Sequence, residues 1–305
     1  MRPFFEFLKD PREITAGIAR KLYADRITND KVYLDKLYRA YFWKKMSWDN
    51  PKTYCEKIQW LKVYDRNPLY TTMVDKVKVK DYVRSLIGGK YVIPMLGSWE
   101  KAEDIDWDSL PNQFVLKCNH DSGSIVVVKD KAKADIPAIT AHLNYYLNRT
   151  MYNIHREWAY KNVERRILAE EYIPSLGHRD SVEWKLTCIN GEVKVITLCE
   201  GIAHAGFNDR TNDHFNKDWT RQDWSVNYKS SGKSIQKPEY VDLMVELSEK
   251  IAGVIPYVRV DWYVIDGELK FGEITFYTWG GFCKFKPKKW DRIMGDWITL
   301  PSINR

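Results

Sequence analysis

Residues 257–276 read YVRVDWYVIDGELKFGEITF, and this stretch predicts the central structure of the chain. Two runs rich in β-branched and aromatic residues flank Asp266-Gly267, which is a strong signal for a β-hairpin. Both runs also contain charged residues. Arg259 and Asp261 share one face of the first strand because side chains alternate along a strand with a period of two. The hairpin therefore presents a polar, charged face.

Glu273 and Thr275 share one face of the second strand, and the register of the hairpin decides which face that is. A two-residue turn pairs Asp261 with Gly272 and sends Glu273 to the opposite face. A three-residue loop or one β-bulge shifts the register and unites Arg259, Asp261 and Glu273. Buried carboxylates need a cation or a basic partner between them. The pattern indicates either a divalent-metal site of the kind that holds Mg²⁺ against nucleotide phosphates, or a solvated face with an Arg–Asp pair.

Composition limits the class of protein. The 305 residues suit one large domain or two intimate ones. The net charge of +7 is spread along the chain without an Arg-rich tract, so it permits an anionic partner and predicts no nucleic acid. The five cysteines form no CxxC motif, which is typical of buried thiols in a reducing compartment. The start, MRPFFEFLKDPRE, carries charges too early for a signal peptide, so we expect a cytoplasmic protein.

Periodicity and turn residues predict a mixed helical and β structure. Residues 1–70 are predicted to be helical, and residues 71–87 to form one further helix that ends at Gly88-Gly89. Strands follow, with a second hairpin around Asn190-Gly191. Residues 203–224 show little periodicity and are predicted to be a long loop of the type that often carries function.

Two lysines are candidates for binding phosphate. Lys117 ends an apolar strand and leads into NHDSGS, where the backbone N–H groups of Ser122, Gly123 and Ser124 can approach an anion closely. The spacing is not that of a Walker loop, and most strand–loop–strand units bind nothing. Lys185 lies in the middle of a predicted strand, either as a second phosphate contact or with its ammonium extended to water.

Other segments offer weaker signals. Residues 170–173 end an apolar run, where backbone groups either hydrogen-bond an adenine edge or simply leave the strand. Asp106 and Asp108 form an Asp-x-Asp motif, which binds a metal–nucleotide-sugar in many glycosyltransferases but is more often a solvated turn. Residues 284–292 (KFKPKKWDR) form a basic, aromatic cluster for an anionic acceptor or a membrane surface, or a solvated face. No GxSxG or HExxH motif predicts a nucleophile or a zinc site.

In combination, these segments resemble the TupA-like ATP-grasp family of bacterial surface-polysaccharide biosynthesis. The similar blocks cover roughly residues 50 to 300 and are NPKTYCEKIQWLKVYDRNPL, MVDKVKVKDYV, LPNQFVLKCNHDSGS, EWAYKNVERRILAEEYI, YVRVDWYVIDGELKFGEITFY and DWITLP. The resemblance implies an α+β ATP-grasp fold, in which two α+β subdomains clasp a nucleotide. It places an N-terminal helical region at 1–70, the small or lid subdomain with its preceding helix at 71–168, and a C-terminal subdomain with the metal-binding hairpin at 169–305.

The resemblance also implies roles for residues. Lys76 and Lys117 match lysines that contact ATP phosphates. Lys185 looks like the lysine of an Asp-Tyr-Lys-Phe strand, although its neighbours here are Glu, Trp and Leu. Arg259 matches an arginine near the acyl phosphate, so the expected catalytic residues are Arg259, Lys185 and Lys117. The expected nucleotide-binding residues are Lys76, Lys117, Ser122, Gly123, Ser124, Glu170, Glu171, Tyr172, Ile173, His178, Asp180 and Lys185.

Asp261 and Glu273 match magnesium ligands, and Thr275 stands where many ATP-grasp enzymes have Asn. After Tyr277 the family usually continues with Pro and small residues, whereas residues 278–281 here read Thr-Trp-Gly-Gly. This departure lies beside the expected active site.

The implied activity is that of an ATP-dependent carboxylate–amine ligase with ATP and Mg²⁺ as cofactors. Such an enzyme makes an acyl phosphate, which an amine captures as an amide while ADP and phosphate are released. The resemblance implies a uronic acid as the carboxylate, nucleotide-linked or lipid-linked at the inner face of the membrane, and a small amine such as an amino acid or amino alcohol. The alternative is a glycosyltransferase of polysaccharide biosynthesis that uses Asp106 and Asp108.

Overall fold

Two antiparallel sheets organise the chain. The structure, a computed structural model, describes residues 11–174, 182–201 and 210–303. The four-stranded sheet has the order β1-β4-β2-β3 and contains β1 (Met95–Trp99), β2 (Phe114–Cys118), β3 (Val126–Val128) and β4 (Ile167–Glu171). The five-stranded sheet has the order β7-β6-β5-β8-β9 and contains β5 (Glu183–Ile189), β6 (Glu192–Glu200), β7 (Thr211–Phe215), β8 (Tyr257–Ile265) and β9 (Glu268–Thr275).

Helices precede and cover these sheets. Their bounds are α1 (Pro11–Tyr23), α2 (Asp30–Phe42), α3 (Tyr54–Tyr64), α4 (Leu69–Val74), α5 (Lys78–Ile87), α6 (Ile136–Leu147), α7 (Tyr152–His155), α8 (Val241–Ala252) and α9 (Lys289–Trp297). The predicted helical character of the first 70 residues is confirmed over its described part. Helix α3 begins with a capping box, in which Thr53 N–H donates to the Glu56 carboxylate at 3.1 Å and Glu56 N–H donates to Thr53 Oγ1 at 3.3 Å.

Each sheet has its own hydrophobic core. Phe114, Leu116 and Ile167 of the four-stranded sheet pack with Leu143 of α6. The larger core unites the N-terminal helices with the apolar face of the five-stranded sheet, where the indoles of Trp184 and Trp262 are fully buried. Apolar burial on this scale is the main stabilising term of the fold. It also fixes which face of the large sheet is left for polar side chains.

The hairpin of residues 257–276 combines a two-residue turn with a bulge. Asp266 and Gly267 both have positive φ, 50° and 81°, as a tight hairpin turn requires. Val260 pairs with Ile274 and Trp262 with Phe271, so two residues of β9 stand opposite Asp261 alone. This bulge restores Glu273 to the face of Arg259 and Asp261. The second of the two predicted registers is therefore correct.

The predicted single helix over 71–87 is wrong, because the chain breaks between α4 and α5. Asp75 Oδ1 accepts hydrogen bonds from Val77 N–H at 2.9 Å and from Asn119 Nδ2 at 2.8 Å. Lys76 N–H donates to the Asn119 carbonyl at 3.1 Å. Asp75 thus diverts the backbone from helical pairing and ties it to the loop after β2.

The predicted long loop over 203–224 contains strand β7, so that prediction is wrong for residues 211–215. The strand pairs with β6, and its buried positions are polar. His214 Nδ1 lies 2.9 Å from Thr197 Oγ1, and Asp213 on the opposite face accepts from Ser231 Oγ at 2.6 Å. A strand with hydrogen-bonded polar groups on both faces shows no apolar alternation.

The proposed subdomain boundary between 168 and 169 falls inside β4. The whole of β4 pairs with β1 and β2, so residues through Glu171 belong to the four-stranded sheet. The β4 sequence ILAEE changes from apolar to acidic residues after Ala169, but the strand stays paired with β2 as far as Glu171.

Candidate active site

The polar face of the five-stranded sheet centres on Asp261, whose side chain has no exposed surface. Arg259 grips it with two parallel hydrogen bonds, Nε to Oδ1 and Nη2 to Oδ2, both 2.6 Å long. Lys185 Nζ from the neighbouring strand also donates to Oδ2 at 2.6 Å, because Lys185 pairs directly with Asp261 in the sheet. Burial opposes ionisation of Asp261, but the two cations outweigh it and hold its pKa below the ordinary value.

Glu273 extends this cluster towards solvent. Arg259 Nη2 lies 3.3 Å from Glu273 Oε1, and the Glu273 side chain is 37% exposed. Glu273, Thr275 and Arg259 all line a cavity of about 820 Å³. Lys185 has a second partner in Glu183 Oε2 at 2.6 Å. The side of the hairpin that faces the cavity therefore carries oxygen donors, and the buried side holds paired charges.

The oxygen donors fit a magnesium ion. Carboxylate and hydroxyl oxygens are the ligands that Mg²⁺ prefers, and one or two carboxylates commonly suffice when phosphates complete the coordination. Arg259 Nη2 bridges the two carboxylates in this structure, 2.6 Å from Asp261 Oδ2 and 3.3 Å from Glu273 Oε1. Glu273 and Thr275 line the cavity and are the oxygen ligands that a cation bound there would meet first. Among the described residues, no group of three His, Cys, Asp or Glu side chains is arranged to hold a metal alone.

Lys76 reaches the same cavity from the four-stranded side. Its ammonium donates to the Asp121 carbonyl at 2.5 Å, and its backbone is held by Asn119. Burial lowers the pKa of Lys76 and outweighs the negative charge of Glu273, which acts to raise it. The break between α4 and α5 positions this ammonium opposite the hairpin.

Lys117 is paired with a carboxylate in this structure. Glu170, next to it in the sheet, contacts both Lys117 and Lys80, the latter at 2.7 Å. Burial disfavours the charged form of Glu170, yet the two ammonium groups together lower its pKa. From the sequence, Glu170 was expected in a segment that contacts adenine. Lys80 was not expected at the site. Its side chain is buried and also donates to the Ile93 carbonyl at 2.6 Å.

The loop after β2 is held by Asp121. Its carboxylate accepts from Gly123 N–H at 3.2 Å and from Ser124 Oγ at 2.5 Å, and Ser124 Oγ accepts from Cys118 N–H at 2.7 Å. Of the three predicted cradle residues, Ser122 lines the cavity. Gly123 and Ser124 stabilise the loop that carries it.

The remaining predicted residues are distributed as follows. Glu171, Tyr172 and Ile173 lie where β4 ends, and His178 and Asp180 lie outside the described residues. Asp106 and Asp108 are exposed in a turn in which Asp106 accepts from Ser109 N–H at 3.3 Å, and neither lines the cavity.

The far wall of the cavity consists of Tyr160, Glu157 and His155, together with Trp279 from the segment after β9. Burial raises the pKa of Tyr160, with Glu157 and Glu273 adding to the effect. Two features of the sequence point to this wall: EWAYKN belongs to one of the family-like blocks, and residues 278–281 depart from the family pattern. No role was predicted for Tyr160, Glu157 or His155. Polar groups from the five-stranded sheet, from the loop after β2 and from the helical region thus surround one cavity.

Within the described part of the chain, no helix is both long and apolar enough to cross a membrane. All five cysteines are buried and free.

Several solved structures are similar to this chain. The L-amino acid ligase from Bacillus licheniformis shows 13% identity and a TM-score of 0.42, covering 89% of this chain and 56% of that chain. A RimK domain ATP-grasp protein from Sphaerobacter thermophilus also shows 13% identity and a TM-score of 0.42, with coverage of 77% and 70%. The D-alanine–D-alanine ligase from Bacillus anthracis shows 17% identity and a TM-score of 0.39 over 72% of this chain, which spans 58% of that ligase.

No curated protein matches the chain. The model of the TupA-like ATP-grasp family matches residues 56–299, most of the sequence. This match confirms the resemblance read from the sequence blocks and the α+β ATP-grasp fold expected from it, and the two antiparallel sheets with flanking helices agree with that fold. The chain belongs to the TupA-like ATP-grasp family.

Proposed function

We propose that this protein is an ATP-dependent ligase that joins a carboxylate to an amine through an acyl phosphate and releases ADP and phosphate. One observation carries the proposal: Lys76 from one side and Arg259 and Glu273 from the other line a single cavity. Phosphoryl transfer requires cationic groups around the phosphates and a carboxylate that binds a divalent ion together with those phosphates. Membership of an ATP-grasp family supports the same activity.

In this function Lys76 and Lys117 bind the phosphates of ATP, and Lys185 and Arg259 stabilise charge near the γ-phosphate. Glu273 and Thr275 would hold Mg²⁺ from the cavity side, and Asp261 would join them from the buried side. An ion held there would neutralise part of the charge of the triphosphate. The buried pairing of Arg259 and Lys185 with Asp261 keeps the two cations fixed, so little reorganisation is needed at the moment of reaction.

The chemistry has two steps. A carboxylate oxygen of the acceptor attacks the γ-phosphorus, the bond from that phosphorus to the β,γ-bridging oxygen breaks, and ADP leaves. The amine nitrogen then attacks the carbonyl carbon of the acyl phosphate. Inorganic phosphate leaves with the electrons of the carbon–oxygen bond, and the nitrogen loses one proton. Arg259, which lines the cavity, would stabilise the oxyanion of the second step.

The proposed carboxylate is a uronic acid of a surface-polysaccharide precursor, nucleotide-linked or lipid-linked, and the proposed amine is an amino acid or amino alcohol. The family resemblance supports this substrate class. A net charge of +7 would attract either anionic carrier and favours peripheral contact with the inner membrane surface in a cytoplasmic protein.

The test is ADP release, screened over pairs of uronic acids and amines with Mg-ATP, with mass spectrometry to detect the amide. Lys117→Ala should abolish ADP release, whereas Asp106→Ala, in an exposed turn away from the cavity, should leave it unchanged. Sugar transfer from a nucleotide sugar that depends on Asp106 and tolerates Lys117→Ala would contradict the ligase proposal.

A further inference from the structure

The segment that departs from the family pattern, Thr278–Gly281, has an unusual backbone. Trp279, Gly280 and Gly281 have φ values of 55°, 61° and 69°, so three successive residues lie in the left-handed region. Glycine tolerates this conformation, but a bulky residue such as tryptophan rarely adopts it. A Cβ at 280 would come within 2.6 Å of His155 Nδ1, and one at 281 within 2.5 Å of Gln59 Nε2. The two glycines are therefore required by close packing.

Buried polar side chains of α3 hold this backbone in place. Gln59 Nε2 donates to the carbonyls of Gly280 at 3.1 Å and Gly281 at 2.9 Å. Lys62 Nζ donates to the Gly280 carbonyl at 2.6 Å, and Lys62 is fully buried. Burying a lysine is costly unless its ammonium is hydrogen-bonded, and Lys62 Nζ also donates to Gln59 Oε1 and to the His155 carbonyl, both at 2.9 Å. The shortest of its three bonds ends on the strained segment. The fold thus holds Trp279 in one position.

The indole held in this way is not part of a core. Trp279 is 46% exposed and lines the 820 Å³ cavity. Trp279 also lines a second cavity of about 80 Å³. Arg259 likewise lines both cavities. A large apolar ring, half exposed and backed by a rigid strained backbone, is an arrangement suited to contact a ligand.

The surroundings indicate what kind of ligand. Arg259 lines the same cavity as the indole. Its Nε and Nη2 are bonded to Asp261, so the positive charge of the guanidinium, and not its two-toothed fork, is what a ligand carboxylate would meet. The cavity wall also carries Asn227 and the ion pair of Glu13 with Lys284, whose charged atoms are 2.8 Å apart. A ring with an apolar face of C–H groups, hydroxyl groups at its edge and a carboxylate substituent satisfies all of these groups at once.

We propose that Trp279 is the specificity-determining residue of this site, and that its indole stacks on the pyranose ring of a sugar carboxylate whose carboxyl group meets Arg259. This inference rests on the proposed ligase function and deepens it. Trp279 selects the cyclic form of the acceptor and takes no part in binding ATP. Gln59 and Lys62 are positioning residues that act through the backbone of the Thr278–Gly281 segment.

The experiment measures binding without ATP, so it is independent of turnover. Methyl glucopyranosiduronate is the ring probe, and gluconate is an acyclic carboxylate of similar size and polarity. Saturation-transfer NMR on the wild-type protein should show transfer to the ring C–H protons of the first probe, with binding at least tenfold tighter than that of gluconate. Trp279→Ala should lose this tenfold preference, and Trp279→Phe should keep part of it.

Trp43→Ala is the matched control. Trp43 is also left-handed at φ 55° and is 63% exposed, but it does not line either cavity. The control should bind the ring probe like the wild type, and Mg-ATP affinity should be equal in all variants. Unchanged ring binding in Trp279→Ala overturns the inference. A wild-type protein that does not prefer the ring probe also overturns it, and so does a loss of Mg-ATP affinity in that variant, since the indole would then serve the nucleotide.

If ADP release fails with every carboxylate and amine while the ring preference depends on Trp279, the proposed ligase function is wrong and the stacking site stands. If ADP release succeeds while Trp279→Ala leaves ring preference intact, the function stands and the stacking site is wrong.

Discussion

Asp261→Asn and Glu273→Gln should separate stability from catalysis at neighbouring positions of one hairpin. Asp261 has no exposed surface and accepts three hydrogen bonds from Arg259 and Lys185, whereas Glu273 is 37% exposed and has one longer contact with Arg259. Asparagine keeps the shape of Asp261 but removes the charge that neutralises two buried cations. Glutamine at 273 removes a charge that water already screens.

The size of each effect follows from burial. Removing one partner of a buried ion pair costs about 3–5 kcal/mol of unfolding free energy, and losing an exposed pair costs about 0–1 kcal/mol. An unfolding entropy of about 2.1 cal/mol/K per residue gives about 0.64 kcal/mol/K for 305 residues. Asp261→Asn should therefore lower the Tm by about 5–8 °C, and Glu273→Gln by less than about 2 °C.

Glu273→Gln should show its effect in activity and not in stability. Glu273→Gln, which stays folded, should lower kcat for ADP release by about 100-fold or more, as loss of one charge-stabilising group does elsewhere. Scanning calorimetry and a coupled ADP assay measure the two quantities. A Tm change below about 1 °C in Asp261→Asn would refute the buried-pair reasoning, and full ADP release by Glu273→Gln would refute the magnesium assignment.

The same pair predicts a pH dependence. The folded-state pKa of Asp261 is depressed, so the stability it contributes is present above its unfolded pKa of about 4 and is lost as the pH falls through the folded value. The difference in Tm between the wild type and Asp261→Asn should therefore shrink on acidification. If the Tm difference between the wild type and Asp261→Asn grows in acid, the ionised form of Asp261 is not stabilised by Arg259 and Lys185 as proposed.

Three further perturbations test other parts of the site. Lys76→Met should raise the KM for ATP at least tenfold with an unchanged Tm. The control is Lys78→Met, which removes an exposed ammonium paired with Glu164 and should change neither quantity. Equal KM values for ATP in the two variants would contradict the phosphate role of Lys76. Asn119→Ala removes three side-chain hydrogen bonds of 2.8 Å, to Asp75, Glu164 and Arg166, and should cost about 1–3 kcal/mol in urea unfolding, and a neutral result would contradict its anchoring role. Burial lowers the pKa of Lys62 to about 7, so the folded protein binds fewer protons than the unfolded one above that pH. Between about pH 7 and about pH 9, wild-type stability should rise by about 2–3 kcal/mol relative to Lys62→Met, and parallel stability curves would contradict the shift.

Features set by neighbouring residues were predictable from the sequence. The two hairpins, the N-terminal helices and the lysine at the end of β2 follow from periodicity and turn chemistry. The bulge opposite Asp261 was open between two registers, because strand periodicity is compatible with either. It is settled by the larger core, which buries Ile274 on the opposite face and thereby turns Glu273 towards Asp261.

Features that depend on distant partners were not predictable. The break at Asp75 needs Asn119, which lies 44 residues away, and the left-handed Trp279 needs Lys62, whose Nζ meets a carbonyl 218 residues along the chain. Strand β7 has polar groups at its buried positions, so its sequence resembles a loop until the bonds of His214 to Thr197 and of Asp213 to Ser231 are known.

In the proposed function, the pairing of Lys117 with Glu170 would let Lys117 contact a phosphate without leaving an unpaired charge behind. In the structure Glu170 neutralises Lys117, whose side chain is 17% exposed, so this mostly covered ammonium is not left alone. A phosphate that draws Lys117 away would leave the buried carboxylate of Glu170 without that partner. Lys80 Nζ, 2.7 Å from Glu170 Oε1, would still pair with it. Two lysines around one carboxylate thus let one cation be released at low cost. In the proposed function this makes Lys117 the exchangeable cation and Lys80 the fixed one, so Lys80→Met should weaken ATP binding through Glu170 even though its ammonium meets no phosphate.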